Sequence, residues 1–208
     1  MASNAVTPNK RGARSRQIVL DAAERVIAAQ GYATASLASI VEEAGIPMSS
    51  IYHYFGSKEG VLLAVAERGA ERLYASLPEV AERVGTPEEH LKTVLDIAIK
   101  ALEKNSDFLR FVLVMEVQPP PDTAREVQTV VRRMRDEVLS RLRNQVAIAF
   151  DISPRSTVAK RLAQFALAVV DGAFIATQGD RRITLSQLLR HLPTALVAMR
   201  DAMDRNCS

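Results

Sequence analysis

The chain has 208 residues, 48% of them hydrophobic and 25% charged, with a formal net charge of only +3. That length accommodates a small domain plus a larger one, and the composition is that of an ordinary soluble globular protein, which excludes a disordered or fibrous chain. Cys207 is the single cysteine, so no disulfide can form within the chain, and no apolar run approaches the roughly 18 residues needed to span a bilayer. Residues 1–16 lack the apolar stretch of a signal peptide, and the expected location is the cytoplasm.

Residues 1–13 read as a basic flexible arm. The segment before Gln17 holds Lys10, Arg11, Arg14 and Arg16 with no acid, a distribution suited to reaching phosphate or an adjacent minor groove. A first helix is predicted over 14–30, with apolar residues at Ile18, Ala22 and Val26 and at Val19, Ala23 and Ile27, ending before Gly31. Leu37, Ile40, Val41 and Ala44 then repeat at the i, i+3, i+4, i+7 spacing of a short helix. Gly45 breaks it, because glycine readily takes the left-handed conformation past a helix end, and Pro47 suits the start of the next helix. That helix, over 47–54, must cross its predecessor. Its exposed face offers Met48, Ser49, Ser50, His53 and part of Tyr52 or Tyr54, and no acid occurs between Glu43 and Glu59. Two short helices joined by such a turn form the pattern of a DNA-reading helix-turn-helix, and an acid-free, hydroxyl-rich face can approach phosphate without repulsion. Ser57 reads as the N-cap of a fourth helix, with Glu59 in its first turn and Lys58 beside the cap to meet a phosphate.

The fourth helix runs through Val61, Leu62, Val65 and Leu73 toward Pro78 and links the small domain to the large one. After the Gly85-Thr86-Pro87 break come a fifth helix to about residue 104 and a sixth over 107–118, ended by Pro119-Pro120-Pro121. A long seventh helix to about residue 150 turns Val127, Val130, Val131, Met134, Val138, Leu142 and Val146 inward and Arg132, Arg133 and Arg135 outward. The last two helices, over 154–178 and 185–204, carry more apolar surface than one core accepts, and Phe165, Val169, Phe174, Leu188, Leu192, Leu196 and Met199 are expected to pair two subunits in a four-helix bundle. Asp171-Gly172 in the apolar helix reads as a packing feature.

Catalytic and metal chemistry leave little trace. His53, His90 and His191 are scattered, no Cys/His cluster or Glu-x-x-His pair occurs, and no phosphate-binding loop or nucleophile elbow is present. The chain is expected to be neither an enzyme nor a cofactor or metal protein.

Read from Gly31, the order GYATASLASIVEEAGIPMSSIYHYFGSKEGVL resembles the N-terminal domain of the TetR family of bacterial transcriptional regulators, in its Ala-Gly turn, its aromatic Tyr-x-x-Phe and its Ser-Lys-Glu helix start. The resemblance covers about residues 14–65. One departure is Pro47, Met48 and Ser49, where the family usually opens its recognition helix with Ser, often followed by Lys and Gly. The resemblance implies an all-α fold of about nine helices, with a three-helix DNA-binding domain over 14–60 and a larger ligand-binding and dimerisation domain over 61–208. It further implies a homodimeric regulator, most often a repressor, that binds a palindromic double-stranded DNA operator and is released by a small effector. Candidate DNA contacts are Lys10, Arg11, Arg14, Ser36, Met48, Ser49, Ser50, Tyr52, His53, Tyr54 and Lys58. Phe108, Phe111, Met115, Met134 and Phe165 are candidate walls of a cavity for a lipophilic or aromatic effector, with Glu116, Gln118 or Arg110 as an orienting polar contact. A large domain that binds a protein instead, and more remotely a helical-bundle enzyme, are the competing readings.

Overall fold

The computed structural model describes residues 10–31, 34–77, 80–117, 125–180 and 182–205. Every regular element among them is helical: α1 (Lys10–Gln30), α2 (Leu37–Ala44), α3 (Met48–Phe55), α4 (Lys58–Ser76), α5 (Pro87–Lys104), α6 (Ser106–Val117), α7 (Arg125–Phe150), α8 (Thr157–Gly179), α9 (Leu185–Leu189) and α10 (Leu192–Arg205). The fold is thus all-α with an N-terminal helix-turn-helix. The segment expected as one helix over 185–204 is two. Pro193 explains the break: its ring clashes with the carbonyl four residues back and it has no N–H to donate, whereas near the start of a new helix neither matters. The helix expected from residue 154 starts at Thr157, where the Ser156 hydroxyl accepts the Ala159 N–H at 3.1 Å. The first helix begins at Lys10 and not at Arg14, so Lys10 and Arg11 are helical and not part of a flexible arm. The Pro119-Pro120-Pro121 break and Gln118 lie outside the described residues.

The chain divides into two compact units. The first comprises residues up to Arg72 together with Asn105–Arg133; the second comprises Leu73–Lys104 and the chain from Met134 onward. The first unit is therefore larger than the domain expected over 14–60, because it takes in most of α4, α6 and the start of α7. Within it α1 packs against α2, α3 and α6. Val19, Leu20, Ala23 and Ile27 of α1, Ile40 of α2, Ile51 of α3, and Val61, Leu62 and Val65 of α4 are buried. α4 and α6 approach closely at Gly69: a Cβ there would lie 2.0 Å from the ring of buried Phe108, so only glycine fits this crossing.

A charged network also joins α1 to α4. The buried Glu24 carboxylate accepts from Arg72 Nη2 at 2.6 and 2.7 Å and from Arg68 Nη2 at 3.0 Å, while Arg68 Nη1 also reaches Asp21 at 2.6 Å and Gln17 Oε1 at 3.1 Å. A carboxylate taken out of water needs this degree of compensation.

In the second unit α8 packs on α9 and α10, and α5 on α9 and α10, around Leu162, Ala163, Ala166, Leu189, Leu192 and Leu196. Arg135, expected to face solvent with Arg132 and Arg133, is half-buried. Its guanidinium forks onto Asp171 of α8, Nη1 to Oδ1 at 3.0 Å and Nη2 to Oδ2 at 2.8 Å. The planar fork matches the carboxylate, which explains an acid inside an apolar helix.

His90 near the start of α5 is fully buried, and its Nδ1 accepts the Val84 N–H at 3.4 Å. Burial pushes the imidazole pKa below its usual 6.5, hydrogen bonding to Gln145 opposes this, and the charge of Arg83 adds to the lowering. A depressed histidine pKa means that the unfolded chain takes up a proton first as pH falls. The neutral ring's contribution is complete above about pH 6.5 and declines below it, by up to about 1.4 kcal/mol per pH unit, until the folded pKa is reached. Thermal unfolding at pH 7.5 and pH 5.5 should therefore show a larger loss of Tm in the native chain than in His90→Asn. Equal losses in both would show that His90 is not the group responsible.

Candidate nucleic-acid interface

α2 is closed at both ends. The Ser36 hydroxyl accepts the Ser39 N–H at 3.0 Å and Ser39 Oγ accepts the Ser36 N–H at 3.0 Å, a capping box made by two serines. At the other end Gly45 adopts φ 62°, and its N–H donates to the Val41 carbonyl at 2.9 Å. Nothing lies within 4 Å of a Cβ placed on Gly45, so the positive φ, and not crowding, requires glycine there. This turn sends the chain into α3, which Pro47 introduces as N-cap without any side-chain cap bond. Proline at this position fixes φ but supplies no oxygen for the first-turn N–H groups.

On α3, Ile51 is 1% exposed and anchors the helix to the core. Ser49, Tyr52 and His53 are exposed, spaced i, i+3, i+4, and so share one outward face. Met48, Ser50 and Tyr54 are half-buried along its flanks. The His53 ring meets Tyr54 edge-on, with centroids 5.4 Å apart at 62°, and Tyr54 in turn meets Phe55 at 6.2 Å and 78°. Beneath them, the Arg16 guanidinium of α1 lies over the Phe55 ring, 5.1 Å from its centroid. Sequence reasoning placed Arg16 among the basic residues at the start of the first helix; 39 positions separate it from Phe55, and no local spacing signals such a stack.

Gly56 turns at φ 74°, and its N–H donates to the Tyr52 carbonyl at 2.9 Å. Ser57 then caps α4 as expected, its hydroxyl accepting the Gly60 N–H at 3.1 Å. Lys58 is half-buried at this corner; desolvation lowers its pKa, and the adjacent Glu59 carboxylate opposes the shift. Of the acids that end α2, Glu43 is engaged by Arg25 of α1 at 2.9 Å. The structure therefore brings Ser49, Ser50, Tyr52, His53, Tyr54 and Met48 together on one short helix, with Lys58 just beyond it. Arg14 is exposed on α1, and Ser36 is exposed at the head of α2 with its hydroxyl engaged in the cap. Lys10 and Arg11 lie in α1, but their side chains lie outside what is described.

The other candidate residues divide between the two units. Phe108, Phe111 and Met115 are buried in the first, with Phe108 and Phe111 stacked at 5.9 Å and 20°, while Glu116 is exposed. Met134 is buried in the second unit, where Phe165 is 37% exposed. Of the residues expected to pair subunits, Phe165 and Leu188 are exposed and Val169 and Met199 half-buried, whereas Phe174, Leu192 and Leu196 are buried in their own chain.

Residues 19–65, which span the turn, α3 and the start of α4, match the model of bacterial regulatory proteins of the tetR family. The chain is 28% identical over 162 residues to the HTH-type transcriptional regulator BetI of Rhizobium meliloti, covering 77% of this chain and 76% of that protein. It is 27% identical to BetI of Brucella anthropi, over 77% and 79% respectively. A TetR-family regulator from Agrobacterium tumefaciens has the same fold, with a TM-score of 0.71 at 18% identity over 90% of this chain and 98% of that one. So does a transcriptional regulator from Saccharomonospora viridis in complex with choline, with a TM-score of 0.67 at 19% identity over 86% and 94%. Among the described residues no helix is long and apolar enough to cross a membrane. With its turn, reading helix and capped fourth helix in this order, the chain carries over residues 19–65 the DNA-binding helix-turn-helix of the TetR family of transcriptional regulators.

Proposed function

We propose that the chain acts as a homodimeric repressor whose two α3 helices enter successive major grooves of a palindromic operator, and that a small effector releases it. The observation that carries this reading is the outward face of α3, where Ser49, Tyr52 and His53 project together from a helix anchored by Ile51. Met48, Ser49, Ser50 and His53 are assigned to base edges or thymine methyls; Lys58, Tyr52, Tyr54, Arg14 and the basic residues before it are assigned to phosphates. Pairing is supported by α8, on which Phe165, Ala168, Gly172, Ile175 and Ala176 form an exposed apolar stripe at helical spacing, with Leu188 of α9 also exposed. Two-fold pairing would set the reading helices about one DNA turn apart, on the order of 34 Å.

For the effector, the chemistry bound by a structural neighbour gives the first probe. The Saccharomonospora viridis regulator holds choline, a quaternary ammonium cation of the kind that aromatic faces attract. Choline and uncharged aromatic compounds are therefore the two arms of an effector screen, an effector being a ligand that prefers the form with low DNA affinity.

The deciding experiment is selection of genomic fragments by the purified protein near physiological salt, followed by footprinting. A protected inverted repeat, bound by two chains as measured by light scattering, is the expected result. Enrichment of no fragment over bulk DNA, or protection of a single half-site by one chain, would overturn the dimeric operator reading.

A further inference from the structure

Of the three histidines, His90 is buried and His191 lies exposed in the second unit, whereas His53 stands on the outward face of α3. Histidine is the side chain whose ordinary titration falls between pH 5 and 8. An imidazole on a surface that docks onto a polyanion gains charge–charge attraction only in its protonated form, so docking and protonation are thermodynamically linked. The surroundings permit this. Both α1 and α2 pack on α3. The described charged residues of those helices include Arg14, Arg16, Asp21, Glu24 and Arg25 on α1 and Glu42 and Glu43 on α2, with Lys58 and Glu59 following α3 in sequence; Asp21 and Glu24 are held by Arg68 and Arg72 of α4. Glu43 is paired with Arg25, and Arg16 is stacked on Phe55. On α3 itself the titratable neighbours are Tyr52 and Tyr54, and the edge-on contact with Tyr54 holds the His53 ring on the helix surface. A cation formed on His53 therefore has no carboxylate on its own helix to neutralise it and is presented outward.

We infer that His53 makes operator binding proton-coupled: the chain grips DNA more tightly at mildly acid pH because each reading helix brings one more positive charge into the groove, toward base acceptor atoms and the phosphates that flank them, when His53 is protonated. This rests on the DNA-binding assignment of α3 made above.

The test is the affinity of the full-length protein for the fragment selected from genomic DNA, and for a random 30-base-pair duplex, between pH 6.0 and 8.0 at several salt concentrations. His53→Gln keeps a polar side chain at an exposed position, and circular dichroism at each pH monitors the acid sensitivity contributed by His90, which both proteins share. Affinity of the native chain is expected to rise as pH falls, on the order of tenfold per contact at about 0.1 M salt, and the slope of log affinity against log salt to steepen by about 0.9 per His53. His53→Gln is expected to be nearly flat over the same range. A pH response that persists in His53→Gln, or a flat native curve, would overturn the inference while leaving the DNA-binding reading intact. Failure to bind either duplex at any pH would overturn both.

Discussion

Gly60→Ala is expected to weaken operator binding more than any substitution on the reading face itself. Gly60 lies in the first turn of α4, and a Cβ placed there falls 2.0 Å from the Phe55 carbonyl oxygen and 3.1 Å from its carbon. The obstacle is backbone, so no rotamer change relieves it. That carbonyl already accepts the Ser57 N–H at 2.8 Å, within the turn that joins α3 to α4. An alanine must therefore displace the last residue of α3, the start of α4, or both. Forced overpacking costs about 1–3 kcal/mol. Whatever part is relieved by moving α3 appears as lost affinity, about tenfold for each 1.4 kcal/mol. Fluorescence anisotropy with the selected operator, alongside urea unfolding, separates the two components. Gly179→Ala is the control, since nothing lies within 4 Å of a Cβ at that position. Unchanged affinity together with unchanged stability in Gly60→Ala would mean that the turn yields freely and does not set the pose of the reading helix.

The second large effect is expected at Glu24. Its side chain is 7% exposed and receives Arg68 and Arg72, whose side chains are 14% and 40% exposed. Removing one partner of a buried ionic group leaves the remaining charges uncompensated, at a typical cost of about 3–5 kcal/mol. Because Arg72 reaches solvent, Glu24→Ala should fall near the lower end, about 3 kcal/mol, measured as a reduced midpoint in urea. The informative comparison is Glu24→Leu combined with Arg68→Met and Arg72→Leu, which removes all three charges and should recover most of the loss. A triple variant no more stable than Glu24→Ala would mean that the network contributes attraction beyond mutual neutralisation.

What the sequence disclosed and what it withheld divide along the reach of the interaction. The Gly45 turn and the Ser57 cap follow from neighbours within four residues, and the structure has each where local rules put it. Pro193 is equally local, yet its power to split the last helix is masked by an uninterrupted leucine stripe on either side. The misjudged residues are charged ones with distant partners. Arg135 reads as part of a solvated basic face because Asp171 is 36 positions away, and Glu24 draws no notice because Arg68 and Arg72 are 44 and 48 positions away. Arg16 and Phe55 likewise meet only once α1 and α3 are packed. Periodicity reports which face of a helix is buried; it carries no information on which charge will be waiting there.

The Arg135 fork on Asp171 has a further meaning for the homodimer proposed above. Asp171 lies along α8 beside the exposed stripe of Ala168, Gly172 and Ile175. A two-fold axis brings residues near it opposite their own images, so an acid left bare on that face would confront an identical acid, and like charges at a dry contact repel. By turning Asp171 toward α7, the chain satisfies the charge internally and leaves α8 a face that can meet a copy of itself. In the homodimer proposed above, Arg135→Met should therefore weaken pairing, read as a larger monomer fraction by light scattering, and Asp171→Asn on the same chain should restore it.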